Sequence, residues 1–127
     1  MTALNDAWLP TSPPVPGPQW PTTEGAAAPV LVVHVWAPWN AYDRVVDAHL
    51  TAIRNHAGIS GALIRSINSD LQEFWPALRA WHVVNLPALV FFRRGQHQAT
   101  LTGVLSAERL ESLISEHLSE LPLNPSA

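Results

Sequence analysis

The side chains able to do chemistry in this chain are six histidines, ten carboxylates and seven arginines, with no cysteine among its 127 residues. Without a thiolate there is no thiol–disulfide exchange, no disulfide, no thiolate metal site and no iron–sulfur ligation. His49 and His56 stand seven apart on one predicted helix, hence roughly on one face. About two turns is nevertheless too far for both to reach one metal ion, and no carboxylate is fixed between them. No activated nucleophile or phosphate-cradling glycine loop accompanies any histidine, so no metal and no cofactor is expected. Asn40 and Asp43 have a simpler use at a helix start. An Asn oxygen accepts from unpaired helix N–H groups, for about 1 kcal/mol relative to Ala. An exposed Asp in the first turn adds ~0.3–1 kcal/mol through the helix dipole. Glu108, Glu111, Glu116 and Glu120 read as solvated positions of the last helix.

The elements that must position these groups follow from periodicity. Val30 to Trp36 is a β-branched run without polar alternation, interrupted only by His34, as expected of a strand buried on both faces. A crossover helix then starts at Asn40, with Tyr42, Val46, Leu50, Ile53 and Ala57 as its apolar stripe and Gly58 and Gly61 after it. Ala62 to Ile67 reads as the next strand, and Asp70 with Glu73 as the cap of a second helix reaching about Trp81, which Pro76 must break or restart. Ala88 to Phe92 and Gln98 to Thr102 flank the turn Arg94-Gly95, predicting an antiparallel pair. Ser106 caps the last helix, whose stripe is Leu110, Leu113, Ile114 and Leu118, with Pro122 beyond its end. The order is β-α-β-α-β-β-α, one sheet between helical layers.

Composition sets the outer limits. The chain is 47% hydrophobic and 13% charged, enough for one core, and its net charge of −3 with every basic residue an Arg leaves no patch for a phosphate backbone. Nucleic acid is therefore not an expected partner. No cationic leader precedes Arg44, and the most apolar run is broken by Pro29 and His34, so the expectation is a cytoplasmic protein with no membrane partner. Seven of the twelve prolines fall at or before Pro29. Residues 1–28 are accordingly expected to be a Pro-rich flexible tail with Trp8 and Trp20 as its large apolar groups, followed by a domain over 29–121 and a short tail over 122–127.

At this point two motifs resemble a known family. Trp36-Ala37-Pro38-Trp39-Asn40-Ala41-Tyr42-Asp43-Arg44 is similar to the thioredoxin segment W-A-x-W-C-G-P-C-K, with both cysteines replaced, by Asn40 and Asp43. Val83 to Gly95 resembles I-R-x-I-P-T-L-x-x-F-x-x-G, and Gly103 lies where thioredoxins keep a glycine facing the active site. The resemblance runs from about Val30 to Leu118; the family's first strand and helix are not recognisable. It implies an α/β thioredoxin-like fold, a three-layer α/β/α sandwich with a mixed central sheet. It also implies a degenerate active-site segment, Asn40, Ala41, Tyr42 and Asp43. His34 aligns with the family's buried acid, so a buried His34–Asp43 pair is expected. Trp81 stands where the family has Tyr, which assigns Trp75 and Trp81 to core or near-core packing. The family's peptide groove corresponds to Trp39, Leu86, a cis Pro87 and Gly103.

The function implied is a redox-inactive thioredoxin-like module that binds a protein or an extended peptide, chaperone-like or as an assembly factor, and is not an enzyme. One alternative is a non-thiol enzyme or pH-sensing site built on His34 and Asp43. Another is a structural subunit docked through its Trp/Pro tail.

Overall fold

An unbroken run of apolar and β-branched positions can be buried along its whole length only in a central strand covered on both faces. Strand β1, Val30–Trp36, is that strand, with every residue buried. The computed structural model describes residues 8–17 and 28–119; what was expected of Trp20, Glu120, Pro122 and their neighbours lies outside them. Helix α1, Tyr42–Ile53, returns the chain to strand β2, Ala62–Asn68, which pairs parallel to β1 with Val30 opposite Ala62. Helix α2, Trp75–Ala80, leads to β3, Ala88–Arg93, and β4, Gln96–Thr102; helix α3, Ala107–Ser119, closes the chain. The sheet order is β2-β1-β3-β4, with β3 antiparallel to both neighbours.

The core divides between the two faces of the sheet. Val30, Val32, Leu89 and Phe91 pack against Val46, Leu50 and Ile53 of α1 and Leu110, Leu113 and Ile114 of α3. Leu31, Val33, Val35 and Phe92 face Leu78 of α2, Trp81 and Val15. Burying such a side chain stabilises by about 1.5–3 kcal/mol. Tyr42 departs from the expected stripe: it is 65% exposed, and the buried stripe of α1 begins at Val46.

Local chemistry explains the ends. Ser106 Oγ accepts the Arg109 N–H at 3.1 Å, capping α3 as its sequence requires. Arg94 and Gly95 both have positive φ, 49° and 83°, the geometry of a two-residue hairpin turn that matches strand twist. The long second helix expected from Asp70 is not formed. Gln72–Phe74 makes a 3₁₀ turn and α2 begins at Trp75, because Pro76 has no N–H to give and is accommodated only in a first turn. Asp70, freed from capping, receives the indole N–H of Trp39 at 3.1 Å.

The proline-rich segment is docked over residues 8–17, where a flexible tail was expected. Pro14 bridges Ser66 in parallel on the open edge of β2: Ser66 N–H donates to Pro13 O at 2.9 Å and Val15 N–H to Ser66 O at 3.0 Å. Ser66 Oγ donates to Ser12 O at 2.9 Å. Thr11 donates to the buried Asp47 through both its N–H (2.9 Å) and its hydroxyl (3.2 Å), and Trp8 meets Trp36 edge to face at 5.3 Å. Proline suits this place, since an edge partner needs to donate on one side only.

Candidate functional site

The loop from β1 into α1 carries the degenerate segment. Asn40 Oδ1 accepts the Tyr42 N–H at 3.0 Å and its carbonyl accepts the Asp43 N–H at 3.2 Å, so the side chain caps the helix as expected; Ala41 already has helical angles. Asp43 is buried beside His34, as the resemblance implied, and is not an exposed first-turn acid. Its side chain is 0% exposed; Oδ2 accepts the Ala37 N–H at 2.9 Å and Oδ1 lies 3.4 Å from His34 Nε2. The carboxylate thus ties the loop before Trp39 to the start of α1. His34 is equally buried, and its Nδ1 has no partner among the described residues. Of the two ring nitrogens it is thus Nε2 that faces the carboxylate.

Further along the chain, α2 and the loop into β3 form a groove of about 390 Å³. Trp39 forms one wall, 70% exposed. Trp75, Leu78 and Arg79 of α2 form another, a contiguous face at helical spacing. Val83, Val84, Asn85 and Leu86 complete it. The Leu86–Pro87 peptide is cis, Pro87 is buried, and its carbonyl accepts the Gly103 N–H at 2.9 Å. Gly103 has φ of 100°, a conformation that favours glycine. Of the four groove residues named from sequence, Trp39 and Leu86 line it; Pro87, buried, and Gly103, exposed, do not.

The main chain of the loop is available. Val84, Asn85 and Leu86 have no backbone hydrogen-bond partner among the described residues. Trp75 was missed: Trp81 is the core aromatic, edge to face with Phe92 at 5.0 Å, whereas Trp75 is 46% exposed with its indole N–H on Ser69 O at 2.9 Å. Pro76 was the available signal, because a helix restarted there places Trp75 on its rim.

The other histidines are occupied structurally. His49 Nδ1 lies 2.7 Å from Leu105 O and His56 Nδ1 3.0 Å from Glu111 Oε1, each joining α1 or its C-terminal turn to the α3 region. Among the described residues no group of three His, Asp or Glu could hold a metal ion. Burial, then the neighbouring His82, lowers the pKa of His97 below its ordinary 6.5, partly offset by a backbone hydrogen bond with Ala99. A depressed histidine pKa means the unfolded chain binds the proton more readily, so stability is full above pH 6.5 and declines as pH falls through the folded value. His97→Gln is expected to flatten that acid-side decline in urea titrations run at stepped pH.

No protein-family model matches the sequence, and no curated protein does. Solved structures do match. A point-mutant thioredoxin of Halobacterium salinarum NRC-1 superposes with a TM-score of 0.66 at 20% identity, over 76% of this chain and 81% of that one. The Malassezia sympodialis thioredoxin Mala s 13 gives 0.64 at 20%, over 75% and 82%, and Trxlp of Edwardsiella tarda EIB202 gives 0.64 at 22%, over 73% and 88%. The sheet order, the two helical layers and these neighbours make this a thioredoxin-like fold, built without a single thiol.

Proposed function

We propose that this chain is a thioredoxin-like binding module that holds an extended protein segment in the groove between Trp39, Trp75 and Leu86, and performs no thiol chemistry. The observation that carries this reading is the unpaired main chain of Val84 to Leu86 beside two exposed indoles. Free backbone donors and acceptors in a bent loop can pair with an extended peptide, and the indoles supply apolar anchoring area. A chaperone or an assembly factor could both use such a groove.

The alternatives find less support. His34 and Asp43 are both 0% exposed and neither lines the groove, so a segment held there does not touch them. The described part of the tail is engaged with its own domain through Asp47, Ser66 and Trp36, so it is not free to act as a separate docking strap.

Panning a random dodecapeptide library on the immobilised chain tests the reading. Enrichment is expected on wild type and on Asn40→Ala. Trp39→Ala and Trp75→Ala are expected to weaken selected peptides about tenfold or more each, since buried aromatic anchors are worth about 2 kcal/mol. Selected peptides that bind both Trp variants unchanged would place binding elsewhere, and the absence of any selected sequence would remove the groove reading.

A further inference from the structure

The chemistry of the groove is more specific than its apolar walls. Arg79 is the one lining residue with a formal charge. It stands one turn beyond Trp75 on α2, exposed, and its guanidinium has no hydrogen-bond or ion-pair partner among the described residues. Asp70, which follows the lining residue Ser69, lies outside the lining and is engaged by the Trp39 indole, and Glu73 also lies outside it. The groove therefore offers one unneutralised cation flanked by indole and aliphatic surface.

We propose that the segment bound there carries an acidic side chain, Asp or Glu, that pairs with Arg79 while a neighbouring large apolar residue packs against Trp39 and Trp75. This rests on the groove reading above and narrows it. A guanidinium presents N–H donors in a planar fork that matches a carboxylate bidentately, which a lysine cannot do. Beside apolar walls the pair is better shielded from water than an open surface pair, so its contribution exceeds that of an exposed ion pair. Unpaired loop backbone at Asn85 and Leu86 sets the direction of the segment, and an internal side chain suits a groove through which the main chain passes.

The test uses the full chain and the dodecapeptide library, panned in parallel on wild type, Arg79→Gln and Arg79→Lys, each checked for unchanged circular dichroism. Wild type is expected to enrich Asp or Glu at a fixed spacing from a large apolar residue. Arg79→Gln is expected to lose that acidic enrichment while keeping the apolar one, and Arg79→Lys to retain part of it. In fluorescence anisotropy, a selected peptide is expected to bind about tenfold more tightly than its Glu→Gln analogue, a difference that shrinks in ~0.5 M salt. Apolar enrichment without acidic preference, or an acidic preference that survives Arg79→Gln, overturns this proposal and leaves the groove reading standing. Arg79-dependent binding confined to a free C-terminal carboxylate overturns the internal side chain. No enrichment of any kind overturns both.

Discussion

Asp43→Ala is expected to lower stability by about 2–5 kcal/mol, read as a fall in urea midpoint with little change in slope. The carboxylate is fully buried and accepts from Ala37 N–H, with His34 Nε2 beside it. Truncation strands the buried Ala37 N–H and takes from buried His34 the partner of its Nε2, at about 1–3 kcal/mol for each group left unsatisfied. Asp43→Asn is expected to cost less, because its oxygen can still accept the Ala37 N–H and its amide N–H can donate to His34 Nε2 in the other ring tautomer. A change below about 1 kcal/mol in Asp43→Ala would show that water reaches the Ala37 N–H, and the clamp on the loop would be lost as an explanation. For a domain whose whole stability is about 5–15 kcal/mol, this residue ranks with the core.

The second large effect concerns the docked segment. Val15→Asp is expected to cost about 2–4 kcal/mol and to expose the Ser66 amide to hydrogen exchange. Val15 is 7% exposed within the core cluster, and an acid there has no counterpart. The cost has a ceiling: once it exceeds the docking free energy of residues 8–17, the segment detaches and the domain remains folded. That docking free energy comprises about 1.5–3 kcal/mol for Val15, about 0.5–1.5 for each backbone bond to Ser66, and a similar amount for Trp8 on Trp36, less the ordering entropy. With the segment gone, β2 becomes an open edge, so concentration-dependent self-association should appear in light scattering. A Ser66 amide that stays protected would mean the segment holds without Val15.

What the sequence could and could not reveal divides by range of interaction. The β1 run, the Ser106 cap and the Arg94-Gly95 turn are short-range patterns, legible because their cause lies within a few residues. Asn40 belongs with them. Asp43 carries the same local signal as a capping acid; the resemblance added its pairing with His34, and only the approach of Ala37 in three dimensions makes it a clamp on the loop. Asp47 is similar: a mid-helix acid reads as solvated until Thr11 is brought against it. Trp75 and Trp81 look alike along the chain, and the helix restart at Pro76 sends one to solvent and the other to Phe92. Half of the groove was legible for the same reason, since Trp39 and Leu86 lie in motifs while Arg79 and Trp75 do not.

The contact between Ser12 and Ser66 spans 54 residues and runs from the beginning of the described chain to a strand that cannot exist until β1 and α1 are in place. During synthesis this segment therefore leaves the ribosome well before the strand that seats it. Its proline content then has a use in time as well as in space: a chain that cannot make its own helix or sheet ladder stays uncommitted until the edge it completes has been built.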